Sequence, residues 1–388
     1  MSIHRNIKLI GWLNFCNDFR IYSAIAVLYF TQVTGSFALG LGVFSIGKIA
    51  SAIFEVPTGV LSDFVGRRMT VVLGQASSAL AIVCYAIGGS FTFLAIGAIL
   101  EGLSSAFFSG NNSALLYDSL KEEGQEEHYS EHEGKTSSMF QVALGISALI
   151  GSFTLGFESF QFLFWLSVIP QVAGFILAFR LIEPQRHYEV IQTNIFSHLK
   201  EALKKFKENA KLRTLSFAQI FGYGIGESMH EFSPAFFATL WPAWAIALTR
   251  VLGHLFATIG YRISGKLVRK FGELKILMWG NSASFVVGTT IVAYPTVLTP
   301  LIGAVASVGH GTGSVARSSL MQKEFSNEQR ATMGSLNSLA GSLFFGVASV
   351  SLGLLADKVG PTYAFLTAQL LSIVPIILYW KLFKKGNS

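Results

Sequence analysis

The stretch Glu55-Val56-Pro57-Thr58-Gly59-Val60-Leu61-Ser62-Asp63-Phe64-Val65-Gly66-Arg67-Arg68 joins two long apolar runs, 37–58 and 69–87. Each run has the roughly 20 residues an α-helix needs to cross the hydrocarbon core of a bilayer. Between them the residues divide the physical work. Gly59 permits a neighbouring helix to approach closely, and Gly66 permits a tight turn. Asp63, at a helix end, can face the free N–H groups at the start of another helix, where the dipole favours an anion. Arg67 and Arg68 are cations at the mouth of a span, which marks this turn as cytoplasmic.

Working outward, apolar runs of similar length recur along the whole chain. The spans are expected at 10–32, 37–58, 69–87, 91–118, 137–155 and 160–181, then at 215–240, 244–267, 276–294, 297–319, 331–355 and 362–382. Twelve crossings make an all-α membrane protein. Composition agrees: 51% of the 388 residues are hydrophobic and 13% are charged, about half the charge of a soluble domain. A soluble fold of this length could not hide that much apolar surface, whereas a bilayer can. Cys16 and Cys84 both lie inside apolar runs and form neither a disulfide framework nor a metal-ligand spacing. The first eight residues carry no small-residue cleavage site, so no removable signal peptide is expected.

The net charge of +7 is explained by where the cations lie. One set of loops holds Arg67, Arg68, Lys121, Lys135, the cluster from Lys200 to Arg213, Lys266, Arg269, Lys270, Lys323 and Arg330, and both chain ends are basic too. The alternate loops hold essentially Lys358. This is the positive-inside bias. It puts both termini in the cytoplasm and removes the need for a nucleic-acid partner.

The longest polar interval divides the chain into 1–182, a linker at 183–213, and 214–388. In the linker, Ile195, Phe196, Leu199, Leu203 and Phe206 recur at helical spacing among lysines. That pattern is an amphipathic helix on the cytoplasmic membrane surface, or a solvated tether. The loop 121–136 clusters six glutamates with His128 and His132. Its spacing fixes no ligand geometry, and it reads as a hydrophilic connector rather than a metal site.

The stretch from Gly59 to Arg68 resembles the signature loop of the major facilitator superfamily, roughly G-x-x-x-D-x-x-G-R-[KR], in the cytoplasmic turn after the second helix. The resemblance extends to Ser109-Gly110-Asn111-Asn112-Ser113 near the end of span four, and to Arg330-Ala331-Thr332 before span eleven. It implies a twelve-helix fold of two six-helix bundles related by pseudo-two-fold symmetry. It also implies that Gly59, Asp63, Gly66, Arg67 and Arg68 form a conformational latch whose acceptor is the stretch 326–332. In the second half, Gly265 and Gly272 keep the glycine spacing, but Arg269 replaces the aspartate. The shorter Gly-x-x-x-Asp-x-x-Gly pattern also occurs at Gly353, Asp357 and Gly360, in a loop expected outside. The drug/proton antiporters of the superfamily carry an arginine in span four where this chain has Ala98, and Glu101 replaces their glutamine. Their proline-containing motif in span five is also missing, although Gly145 and Gly151 occur there.

Charged side chains at mid-bilayer cost about 2.5–3.5 kcal/mol each on insertion scales and are kept for a cavity, a partner or water. Span one has Asp18 and Arg20, two residues apart and so on different faces. Span seven has Glu227, His230 and Glu231 on one face, followed by Pro234. Two carboxylates so close disfavour double ionisation, and histidine titrates near neutrality, a combination suited to carrying protons. Lys48, Arg250 and His254 complete the intramembrane set. The resemblance lines a central cavity with helices one, four, seven and ten, which selects Asp18, Arg20, Glu101, Glu227, Glu231, His310 and Arg317. Arg317 is near the cytoplasmic end and can also snorkel.

The functional expectation is a secondary transporter of a small organic solute, working by alternating access in the plasma membrane, proton-coupled and exporting, as a monomer without cofactor or metal. Uptake of a metabolite is the rival reading, and a non-transporting receptor or scaffold is the third. No His-Glu-x-x-His motif or paired nucleophile marks an enzyme, and no G-x-x-x-x-G-K-[ST] loop marks ATP-driven pumping.

Overall fold

The computed structural model describes residues 4–157, 159–184, 206–324 and 327–386, and describes no side chains at 4, 130, 322–324, 327–333 or 385–386. Most of the linker and the expected latch acceptor at 326–332 therefore lie outside the described residues or side chains. Among the described residues the chain is helical, with no strand. The first half contains α1 (His4–Asp18), α2 (Ala26–Thr34), α3 (Phe37–Val65), α4 (Arg67–Ile87), α5 (Phe91–Phe108), α6 (Asn111–Glu122), α7 (Tyr129–Thr154) and α8 (Phe160–Ala178). The second half contains α9 (Ala210–Phe237), α10 (Ala243–Phe271), α11 (Glu273–Ala293), α12 (Thr299–Glu324), α13 (Asn327–Val359), α14 (Pro361–Leu371) and α15 (Ile373–Gly386).

Nine helices among the described residues are long and apolar enough to cross a membrane. The expected spans outside that set are one, seven and ten, and each has a physical reason. Span one breaks in two. Spans seven and ten form the long helices α9 and α12, diluted in apolarity by Gln219, Glu227, His230 and Glu231 in one and His310 and Arg317 in the other. Outward faces are apolar, with Phe64, Phe153 and Val56 among the most exposed side chains, as a lipid solvent requires.

Three spans expected to be continuous are interrupted. Span four breaks at Ser109–Gly110, where Gly110 takes φ +70°. Span twelve breaks at Ser372, because Pro375 has no N–H and its ring crowds the carbonyl four residues back. Span one breaks over 19–25 between α1 and α2, and there the bundle supplies the partners that the freed backbone needs. Gln171 of α8 donates from Nε2 to the carbonyls of Cys16 at 2.8 Å and Asn17 at 3.1 Å. The Ile21 N–H donates to Ser167 Oγ at 3.0 Å. Non-helical backbone survives at membrane depth only when it is satisfied in this way.

The chain forms two compact units. One is Met1–Gly35 with Gly42–Val190, and the other is Ser36–Leu41 with Ile191–Ser388. In the first, α4 packs on α5 and α8, and α1 on α7 and α8. Its core joins Ile10 and Leu13 to Val71, Leu115 and Leu116. In the second, α10 packs on α12, α9 on α13, and α11 on α12, around a core that includes Leu215, Leu277, Met278 and Ala316. Glycine sets the tightest seams, as in other membrane bundles. A Cβ on Gly260 would strike the Val308 carbonyl, and one on Gly102 would sit 2.5 Å from the Gly47 carbonyl oxygen.

Candidate functional site

Charged and polar side chains gather into one cluster in each unit. In the first unit, the break after α1 turns Arg20 inward. Its Nε donates to the Asn17 carbonyl at 2.9 Å, and its guanidinium pairs with Glu101 of α5. The other carboxylate oxygen of Glu101 accepts from the Tyr85 hydroxyl at 2.8 Å. Tyr85 is almost fully buried and is held in turn by Tyr29, whose hydroxyl donates to the Tyr85 carbonyl at 2.9 Å. Tyr22 stacks on Phe164 with ring centres 4.1 Å apart, closing one side. Asp18 lies near Asn17 and Arg20. Two sequence candidates, Arg20 and Glu101, thus meet although they are 81 residues apart.

In the second unit, Arg250 of α10 lays its guanidinium against the His230 ring and donates through Nη2 to the His230 carbonyl at 2.8 Å. Glu231 and Glu227, on the same helix as His230, act electrostatically on Arg250. His254 lies within electrostatic range of Arg250 and His310, and His310 within range of Arg317 and Glu227. The cluster therefore draws on α9, α10 and α12. Arg250 and His254 were set aside by the helix-one-four-seven-ten pattern. The signal that could have found them was in the composition of span eight, because an arginine and a histidine one turn apart in an apolar run need partners.

The Gly59–Arg68 turn is fastened from several sides. Gly66 takes φ +100°, and Arg67 opens α4 directly after it. The Glu183 carboxylate caps that helix start, accepting from the N–H of Arg67 at 2.8 Å and of Arg68 at 2.7 Å. Arg67 Nε bonds Asp118 at 2.5 Å, and Arg68 Nη2 donates to the Phe179 carbonyl at 3.0 Å. Ser62 and Asn111 bond at 3.0 Å. Thr58, Gly59, Ser62, Asp63, Arg67 and Asn111 line a cavity of about 270 Å³, and among the described residues nothing lies within 4 Å of where a Cβ on Gly59 would be. Glu183 was not singled out in the sequence. It stands at the start of the polar linker, where a lone carboxylate resembles ordinary solvated charge.

The same turn geometry recurs. Gly272, between α10 and α11, has φ 79° and ψ 156°, and Gly360, between α13 and α14, has φ 85° and ψ 163°, close to the 100° and 155° of Gly66. Only glycine adopts this backbone region readily. Among the described residues no group of three or more His, Cys, Asp or Glu could hold a metal ion.

The comparisons with known proteins agree with one another. A family model described as Major Facilitator Superfamily matches residues 9–343. An uncharacterized MFS-type transporter of Methanocaldococcus jannaschii is 22% identical over 386 residues, covering 96% of this chain and 97% of its own. The uncharacterized MFS-type transporter YxaM of Bacillus subtilis is 20% identical, covering 92% and 91%. An uncharacterized transporter of Buchnera aphidicola is 27% identical, and the match spans about half of each chain, 54% and 51%. Among solved structures, a variant of the nucleoside transporter NupG has TM-score 0.84 at 14% identity, covering 98% and 100% of the two chains. A D-xylose-proton symporter has TM-score 0.75 at 14% identity, covering 97% and 96%.

Proposed function

Since the chain belongs to the major facilitator superfamily, and so is a multi-pass membrane transporter, we propose that it exports a small organic solute in exchange for protons. The observation that carries this reading is the second-unit cluster, in which Glu227, His230 and Glu231 share one helix face with Arg250 laid against His230. Two carboxylates one turn apart repel when both are ionised, and a mobile proton or a cationic group on the solute relieves that repulsion. Arg250 supplies a fixed positive charge that such a group competes with. Both termini are read as cytoplasmic from the loop cations, the membrane as the plasma membrane, and the working unit as a monomer.

In the first unit Glu101 already has Arg20 and Tyr85 on its two oxygens. Those two contacts tie Glu101 to the broken span and give it a positioning role. Alternating access then needs a proton to arrive at the span-seven cluster and leave on the other side. The test is an inverted-vesicle assay in which an imposed pH gradient drives accumulation across a panel of radiolabelled cationic, neutral and anionic solutes. Accumulation that collapses with a protonophore supports the reading. Movement in the opposite sense to the gradient's export direction would replace export by uptake.

A further inference from the structure

The first turn of α3 does not group with the rest of that helix. Residues Ser36–Leu41 belong to the second unit, and the helix from Gly42 onward belongs to the first. Inside the second unit those residues are gripped by Asp357, near the end of α13. One carboxylate oxygen accepts from the Ser36 hydroxyl at 2.6 Å and the Ala38 N–H at 3.2 Å, and the other accepts from the Phe37 N–H at 2.6 Å. An anion at the positive end of a helix dipole, taking three donors, is a strong cap. Gly353 lies one turn before Asp357 on the same face, and a Cβ there would sit 2.5 Å from the Ala38 Cα. The Phe37 ring meets Phe232 of α9 edge to face at 5.6 Å.

These contacts give a chemical meaning to Gly353-x-x-x-Asp357-x-x-Gly360. The glycine lets α13 approach the start of α3, the aspartate caps that start, and Gly360 makes the same left-handed turn as Gly66. The pattern at Gly59, Asp63 and Gly66 lies toward the other end of α3, a helix of 29 residues and about 44 Å at 1.5 Å each. We propose that Asp357 and Gly353 form a second latch, on the face of the membrane opposite the Arg67–Arg68 turn, which holds the start of α3 while that face is closed and lets it go when that face opens. The Ser36 and Phe37 bonds to Asp357 lie at an exposed position, so release trades them for bonds to water rather than leaving buried groups unpaired. That makes the clasp reversible.

The proposal needs no solute, and its outcome is independent of the export reading. Full-length protein in lipid nanodiscs is compared as wild type, Asp357→Ala, Asp357→Asn, Ser36→Ala and Gly353→Ala. Hydrogen exchange is followed over 36–41. Nitroxide labels on cysteines introduced at the exposed positions Leu39 and Val359 report separation, in chains whose Cys16 and Cys84 are replaced by alanine. For Asp357→Ala, exchange at residues 37 and 38 is expected to rise about tenfold, as loss of charge-assisted bonds implies, and a longer label separation should grow at the expense of the short one. Ser36→Ala should move both readouts less, in the same direction, and Gly353→Ala should do so with the carboxylate intact. Unchanged exchange and separation would overturn the latch. Faster exchange with an unchanged separation would overturn it too, because Asp357 would then be a helix cap and nothing more. Should Asp357→Ala fail to elute as a single species, Ser36→Ala and Asp357→Asn decide by the same two readouts.

Discussion

Arg20 and Glu101 are partly buried, with side-chain exposures of 19% and 30%. Deleting one charge strands the other where water reaches it poorly. Arg20→Ala should therefore destabilise the protein by about 3 kcal/mol, read as thermal unfolding in detergent, while Arg20→Lys recovers part of the loss through a single-point pair. Glu227→Gln with Glu231→Gln should abolish pH-driven accumulation in a protein that still folds, because the volume is kept, though the unfolding midpoint should fall as Arg250 loses both carboxylates that act on it. Unchanged accumulation in that double variant would exclude span seven as the proton path. The sequence made Arg20, Glu101 and the span-seven triad visible, because charge inside an apolar run is conspicuous. It set Arg20 and Asp18 on different faces but could not show that Glu101 would be Arg20's partner, since that depends on a break in the helix that only packing stabilises. Tyr85 and Gln171 escaped notice for the opposite reason: neither is charged, and each looks ordinary until its partner is known.

At the scale of the helix, interruptions carry the information. The start of α4 depends on Gly66 and on the Glu183 carboxylate. Glu183→Ala should destabilise by about 1 kcal/mol, as loss of a helix cap does, with hydrogen exchange accelerating first at residues 67–70. The break after α1 depends on Gln171, which is fully buried and holds two carbonyls. Gln171→Leu keeps the bulk and takes its donor from the Cys16 carbonyl, while the Asn17 carbonyl keeps Arg20 Nε, a loss of about 1–3 kcal/mol measurable in the same unfolding assay. Apolar run lengths located the helices because hydrophobic thickness dictates them, but not all their ends: α3 runs on to Val65 past the expected 58, and α7 starts at Tyr129 ahead of the expected 137. The break over 19–25 was not legible, since a run of Ile21, Tyr22, Ala24, Ile25 and Ala26 reads as continuous helix. The turn at Gly360 was legible as a pattern but not as a function, because its worth depends on Ser36 and Phe37 arriving from more than 300 residues away.

For the molecule as a whole, the scarcity of charge and the recurrence of apolar runs decide that lipid is the solvent, and the family match decides the kind of machine. Expected spans one, seven and ten fall short in continuity or apolarity, and together they hold Asp18, Arg20, Glu227, His230, Glu231, His310 and Arg317. A carrier needs such helices, whereas a scaffold has no reason to keep them. Counterflow in proteoliposomes tests the carrier mechanism most directly. Vesicles preloaded with unlabelled solute at equal pH inside and out should take up labelled solute transiently above its equilibrium level and faster than empty vesicles, because one binding site alternates between the two sides. Uptake that is indifferent to preloading would describe a pore, and no protein-dependent uptake of any solute in the panel would describe a receptor or scaffold; either result contradicts alternating access.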